Sequence, residues 1–324
     1  MTDRSDEHDP GIAPAARDRK LALGAAIASR REAVLVVNTR SRRGRRLFGD
    51  ARQLLAARGF TLTTFAVSHP ERLPGIVRDA IARGHRLVVV GGGDGTISSV
   101  VGDFAYHDTV LGLLPLGTAN SFARALGIPL TVDAAVDTVV AGKVVDVDLG
   151  RLDGAYFANA AAIGLPASIA RHMPRLLKRW LGRVGYLLVA CARLPAHRAF
   201  LCDVEIDAQR HRFAALEVRV ANGQYQGGIR VADEASVESH DLVLQAIEAQ
   251  SRWSIVRFWA YALLGMPTHT AEVRVLRGRS VALVTTPRKY VSVDGEVAAR
   301  TPVHFAVARE ALLVMVPRDR AELQ

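Results

Sequence analysis

Two carboxylates, each followed by a glycine, are the residues of this sequence best suited to chemistry. Asp94 lies in VVVGGGDGTISSVV (88–101), where an apolar run meets Gly91, Gly92 and Gly93 and is followed by Gly95 and Thr96. Glycines at the end of a strand let the backbone turn sharply and approach a ligand closely. A helix starting there, with Thr96 as its N-cap, presents free N–H groups that attract anions, phosphate above all. A lone carboxylate repels phosphate unless a metal ion or a hydroxyl lies between them, so the loop points to a nucleotide with Mg²⁺. The same residues also fit a plain tight βα turn. Asp294 lies in VSVDGEV (291–297). Asp-Gly between β-forming residues is a routine hairpin turn, and the same carboxylate beside a substrate hydroxyl is a general base.

Two further stretches carry polar groups. In PLGTAN (115–120), Gly117 permits close approach, and Thr118 and Asn120 offer neutral hydrogen-bonding groups or cap the helix that follows. NTRSRRGRR (38–46) holds five arginines. Such a run is either a solvated face or, because it follows a buried strand, a phosphate clamp of bidentate donors.

The elements that must position these groups can be read from periodicity. EAVLVVN (32–38), RLVVVGGG (86–93) and VLGLLPLGTAN (110–120) are continuously apolar before they end in Gly, Asn or Thr. That is the pattern of strands covered on both faces. Helical spacing separates them at 46–58 and 71–83, and FTLTTFAV (60–67) fits another strand. Alternating β and α elements predict a mainly parallel sheet, with ligands beyond the carboxyl ends of its strands. NTRSRRGRR, GGGDGT and PLGTAN then share one rim. After about residue 145 the pattern becomes alternating, as in AFLCDVEID and KYVSVDGEVA, which predicts antiparallel strands in a sandwich or rolled sheet. Helical insertions are expected at 171–194 and 251–265.

The 324 residues are enough for two domains. The 42 Lys+Arg against 32 Asp+Glu give a net charge of +10, a solvated basic surface or one made for an anionic partner. Cys191 and Cys202 form neither a disulfide framework nor a metal pattern, which sets a reducing compartment as the default. There is no apolar run of transmembrane length and no signal-peptide order at the N-terminus. Residues 1–30 read as an extension without fixed structure. No helix-turn-helix, zinc-finger or RNA-recognition signature supports nucleic-acid binding.

Taken together, the motifs resemble the diacylglycerol kinase catalytic family, in particular the bacterial soluble lipid kinases. GGGDGT (91–96), LGLLPLGTANSFAR (111–124), DLGRLDGAYFANAAAIGL (148–165) and VSVDGE (291–296) occur in that family's order, and the likeness spans 32–317. The resemblance implies an N-terminal parallel α/β nucleotide domain like that of phosphofructokinase and NAD kinase, here 31–145 with residues 309–324 returning to it. It also implies a C-terminal antiparallel β-sandwich that takes the lipid, here 146–308. The implied activity is transfer of the γ-phosphoryl group of ATP, with Mg²⁺, to the hydroxyl of diacylglycerol or a related lipid. Asn38, Gly92, Gly93, Asp94, Gly95, Thr96, Gly117, Thr118 and Asn120 would bind the nucleotide, and Asp294 would be the base. A cytoplasmic enzyme with transient peripheral membrane contact follows, the basic and apolar stretch 171–188 being the candidate contact.

The chain also departs from that family. Ser98 and Ser99 stand where GGDGTINEVV has an amide and a carboxylate, and NTRSRRG replaces NPxSGxG. Val67 and Ser68 match a position that often carries a nucleotide-touching threonine. Ser239-His240 replaces the DG of a structural Mg²⁺ loop, with Asp241 displaced from it. Two other readings stay open: a non-catalytic lipid-binding or regulatory relative, and a soluble-substrate kinase of the NAD kinase type.

Overall fold

The computed structural model describes residues 12–172, 189, 192–268 and 272–320. Its first half runs through α1 (Ile12–Arg30), β1 (Glu32–Asn38), α2 (Arg42–Ala57), β2 (Thr61–Val67), α3 (Leu73–Ala82), β3 (Leu87–Gly92), α4 (Asp94–Val100), β4 (Val110–Pro115), α5 (Ser121–Ala125) and α6 (Val132–Ala141). β2, β1, β3 and β4 lie side by side in that order, all parallel. β3, β4 and the 33–37 stretch of β1 are apolar because helices and loops cover both faces: Leu35, Val36, Val89, Leu111 and Leu114 have no exposed surface. Parallel strands all point one way, so their carboxyl ends bring Asn38, Gly92 and Pro115 to one rim.

Three local expectations need correction. Residues 12–30 are helical rather than unstructured: Leu23 and Ile27, one turn apart, are buried in the core, and Lys20 pairs with Asp146 at 2.6 Å. Leu21 stays exposed, so the helix carries no apolar stripe for sequence periodicity to reveal. α2 begins at Arg42 instead of 46, because the Ser41 hydroxyl accepts the Gly44 N–H at 2.9 Å and caps it. The N-cap of α4 is Gly93, not Thr96; the Gly93 carbonyl already accepts the N–H groups of Thr96 (2.9 Å) and Ile97 (3.2 Å).

The second half comprises β5 (Lys143–Leu152), β6 (Ala155–Phe157), β7 (Ala160–Gly164), α7 (Leu165–His172), β8 (Phe200–Ile206), β9 (Gln209–Ala221), β10 (Tyr225–Gln226), β11 (Ile229–Arg230), β12 (Leu242–Glu248), α8 (Arg252–Leu264), β13 (Val273–Gly278), β14 (Ser280–Thr286), β15 (Tyr290–Val293), β16 (Glu296–Arg300) and β17 (Val303–Val316). Its pairings with one another are antiparallel. The hydrogen-bonded order is β16-β15-β7-β9-β8-β14-β17-β4-β3-β1-β2, with β12 also pairing with β9 and β13, and β5 with β17 and β6. β17 joins the two regions: Phe305 pairs with Val281 of β14, while Val314 pairs parallel with Leu111 of β4. A register shift between Ala308 and Leu312, with Glu310 at φ 49°, separates the two segments.

Alternation along β8 buries Phe200, Cys202, Val204 and Ile206 in one cluster with Phe157, Val281 and Phe305. A second apolar layer lies between the sheet and two helices, with Leu165 and Ile169 of α7 beside Ile255, Phe258 and Ala262 of α8. The fold is therefore a parallel α/β region continuous with an antiparallel β-sandwich.

Candidate functional site

The glycine-rich loops after β3 and β4 touch backbone to backbone. A Cβ on Gly117 would stand 2.5 Å from the Gly93 Cα, and one on Gly93 would stand 3.1 Å from the Gly117 Cα. Gly92 is equally constrained, since its Cβ would meet Thr96 at 2.4 Å. These positions need glycine for packing of the chain on itself. At Gly95 no atom lies within 4 Å of where a Cβ would project, so the first turn of α4 opens to solvent. By position its N–H has no intrahelical acceptor.

Polar side chains lock this rim. Asn38, at the end of β1, donates from Nδ2 to the Thr96 hydroxyl at 3.0 Å and accepts the Arg40 N–H at 3.2 Å. Asn120, left-handed at φ 49°, closes its own loop by accepting the Gly117 N–H (2.9 Å) and donating to the Gly117 carbonyl (3.0 Å). Asp94 accepts the Ser121 N–H at 2.6 Å and so ties α4 to the start of α5. Burial pushes its carboxyl above the ordinary value, against backbone donors at Ser121, Phe122 and Asn120 that pull it down. Thr118 and Gly95 are the exposed members of the two loops.

Asp294 approaches from the other half of the molecule. It takes the left-handed turn between β15 and β16 at φ 47°, followed by Gly295 at φ 89°. Its N–H donates to the Ala160 carbonyl at 3.0 Å. Its Oδ2 accepts the Ala158 N–H at 3.2 Å, and its Oδ1 accepts those of Asn159 at 3.1 Å and Ala160 at 3.2 Å. The Ser98 side chain of α4 lies on the same carboxylate and favours its ionised form. Burial raises the Asp294 carboxyl above its ordinary value, although the three backbone donors and the Ser98 side chain favour the ionised form. The two carboxylate motifs therefore meet through Ser98, on the helix that Asp94 begins. Ser98 read in sequence only as a loss of acidity, and nothing local marked it as a partner of Asp294. Asn159, buried with an unpaired Oδ1, lies in the same segment and was also missed.

Other expected site residues lie outside this set of hydrogen bonds. Arg45 and Arg46 are exposed on the first turns of α2. An open groove of about 230 Å³ lies at the end of β2, lined by Val67, Ser68, His69, Arg72 and Ile76. In the 236–241 loop, His240 donates its N–H to the fully buried Asp148 carboxylate at 2.7 Å and sets its Nδ1 3.0 Å from the other oxygen. Glu310 N–H completes that site at 2.8 Å. Asp241 instead faces Arg277, at 3.0 Å and 3.3 Å. The residues present thus do not fit a metal in this loop, and among the described residues no group of three or more His, Cys, Asp or Glu could hold one. The stretch 171–188 lies outside the described residues beyond His172.

Comparison with known proteins covers both halves. Residues 32–152 match the family model described as diacylglycerol kinase catalytic domain, and 159–316 match the YegS C-terminal NAD kinase beta sandwich-like domain. The chain is 28% identical over 268 residues to a diacylglycerol kinase of Bacillus subtilis (strain 168), covering 82% of this chain and 88% of that protein. It is 24% identical over 297 residues to a diacylglycerol kinase of Staphylococcus saprophyticus, covering 90% and 97%. A crystal structure described as a diacylglycerol kinase from Bacillus anthracis str. Sterne superposes with a TM-score of 0.73 at 21% identity, covering 88% of this chain and 96% of that one. Two touching glycine loops, a hairpin carboxylate joined to them and matches along both halves lead to one assignment: the chain belongs to the diacylglycerol kinase catalytic family.

Proposed function

We propose that the protein is an ATP-dependent lipid kinase that transfers the γ-phosphoryl group to a lipid hydroxyl, with diacylglycerol or a related lipid as acceptor. The observation that carries this reading is the approach of Asp294, fixed by the N–H groups of 158–160, to the Ser98 side chain of α4. It joins the loop suited to phosphate with a carboxylate suited to a hydroxyl, on opposite halves of the chain. In-line phosphoryl transfer needs that arrangement, because it relies on positioning and charge stabilisation more than on covalent help.

Each residue has a role in this reading. Gly95 leaves room for phosphate at the first turn of α4, and Thr118 offers a hydroxyl from the facing loop. Asn38 and Asn120 hold those loops in shape. Asp294, oriented by three backbone N–H groups, receives the proton of the acceptor hydroxyl as the oxygen attacks phosphorus. Its raised pKa makes it a stronger base than an exposed aspartate. The groove at the end of β2 suits the nucleotide base. A single carboxylate with phosphate oxygens is a common Mg²⁺ donor set, and Asp94 is the residue that would hold the ion. Bound there, Mg²⁺ would neutralise charge on the phosphates.

A non-catalytic lipid-binding relative is the second reading, favoured by the commitment of Asp94 to the Ser121 N–H. Incubation with γ-labelled ATP and a total lipid extract separates the two. Label in a lipid identifies the acceptor; label in no lipid, with lipid binding retained, supports the non-catalytic reading.

A further inference from the structure

α8 turns opposite sides to two different media. Its inner side buries Ile255, Phe258 and Ala262 against the sheet. Its outer side carries Trp253 (71% exposed), Val256, Leu263 (63%) and Leu264 (73%), and the chain beyond its Gly265 cap exposes Met266. At 100° per residue, 253, 256, 263 and 264 fall on one stripe. From Phe258 to Thr268 the sequence FWAYALLGMPT has no charged residue. Single exposed apolar residues need no explanation, but a contiguous set marks a contact surface.

The charge beside this stripe indicates what it contacts. α7 shares the apolar layer under α8, so both helices cover the same face of the sheet. From the end of α7, Arg171 stacks over the Tyr290 ring at 4.2 Å, and Arg300 approaches that ring at 5.2 Å. Arg288 and Lys289 precede Tyr290 on the same hairpin. None of these four cations forms an ion pair with an acidic side chain among the described residues. Arg171 and Arg300 are exposed. A one-sided apolar helix with an interfacial Trp, on the same face of the sheet as cations without acidic partners, is the composition that lies on an anionic bilayer. Among the described residues no helix is long and apolar enough to cross a membrane.

We propose that α8 is a bilayer-docking element: Trp253, Leu263, Leu264 and Met266 enter the headgroup boundary of an anionic membrane, and Arg171, Arg288 and Arg300 hold its surface charge. The choice of a bilayer as occupant rests on the lipid-kinase reading. Docking at this face would bring the sandwich half, with the Asp294 hairpin, to the surface where a lipid acceptor resides.

The test is co-sedimentation of the whole protein with vesicles of phosphatidylcholine alone and of phosphatidylcholine mixed with phosphatidylglycerol, without ATP or acceptor. Binding is expected to favour the mixed vesicles and to weaken as salt rises, because exposed charges are screened. The double variant Leu263→Ser, Leu264→Ser should lower the partition coefficient about tenfold or more, and Trp253→Ala should lower it by itself. These residues are exposed, so thermal unfolding without vesicles should not change. Phosphorylation of a short-chain acceptor dissolved as monomers should also survive the double variant. Vesicle binding equal to the parent's in both the double variant and Trp253→Ala overturns the proposal while leaving the kinase reading intact. So does a stable dimer in analytical ultracentrifugation that the variants dissociate while vesicle binding persists, since the face would then meet a second copy. Vesicle binding lost in the variants, from a protein that labels no lipid, supports the docking surface and removes the kinase reading.

Discussion

Replacing Asp294 by asparagine keeps the side chain's shape and removes its ability to take a proton. Loss of a general base lowers turnover by roughly 10²–10⁴-fold, equivalent to about 2.7–5.4 kcal/mol in the barrier. The structural cost follows from the donors around the carboxylate. Oδ1 accepts the N–H groups of Asn159 and Ala160, and Oδ2 accepts that of Ala158. An amide oxygen in the Oδ1 position keeps two of these bonds, while its NH₂ faces the Ala158 donor. One unpaired buried donor costs about 1–3 kcal/mol of stability. Burial of the Asp294 charge works in the other direction, as its raised pKa shows, and a neutral amide relieves that penalty. The net loss of stability should therefore fall below the range for a single unpaired donor, and the variant should fold. The assay is transfer of label from γ-labelled ATP to the lipid identified from the extract, with thermal unfolding measured on the same sample. In the parent enzyme, activity should rise with pH through the folded pKa of Asp294, and that acid limb should lie above the ordinary aspartate value of 3.8. A folded Asp294→Asn variant with turnover near the parent's refutes the argument.

Other outcomes are expected from the same geometry. Asp94→Asn preserves an acceptor for the Ser121 N–H but weakens a cation site, so the Mg²⁺ concentration for half-maximal rate should rise; an unchanged Mg²⁺ titration and maximal rate would leave Asp94 as a brace between α4 and α5. Arg45→Ala or Arg46→Ala should raise KM for ATP with little change in kcat, and no change in either variant would make these arginines a solvated face. Arg219, Glu217 and Gln245 are 1%, 1% and 2% exposed, with Arg219 donating to Gln245 at 2.7 Å and to Glu217 at 2.5 Å. Arg219→Met strands the Glu217 carboxylate and should cost about 3–5 kcal/mol in urea unfolding. Burial already holds the folded pKa of Glu217 above the ordinary 4.5. Its favourable contribution is therefore present below 4.5 and lost as pH rises through the folded value, so the variant's deficit should be smaller in acid than at neutral pH.

What could be read from the sequence is what neighbouring residues decide. Val34 to Val37 and Leu87 to Val90 are continuously apolar because helices cover both faces of their strands, and that pattern announces a parallel sheet without tertiary information. Gly93 and Gly117 mark the ends of two such strands. That their Cα atoms pack against each other is a consequence of β3 and β4 being neighbours in the sheet. Helix α1 shows the opposite situation: among its described side chains, from residue 17 onward, Leu23 and Ile27 are the ones buried in the core, too few to print a stripe. Ser41, a single capping hydroxyl, moved the start of α2 into what read as a loop of arginines.

The candidate site was legible in its residue types but not in their partners. Both carboxylates could be picked out beside their glycines, whereas Ser121 lies 27 residues from Asp94, and Asp148 lies 92 residues from His240. Asp294 shows why the partner cannot be read locally. Its three backbone donors all belong to 158–160, the segment entering β7, and β7 is aligned with β15 by the pairs Val293–Ala161 and Val291–Ile163. Sliding β15 by one residue would reverse which face each side chain occupies, taking the Asp294 carboxylate away from those donors and from Ser98. Val291, with no exposed surface, and Ile163, likewise enclosed, resist that slip because it would carry an apolar side chain out of the sandwich core. The orientation of the proposed base is thus held by the apolar register of a strand pair several residues from the turn, and substitutions at Val291 would reach the chemistry through the sheet.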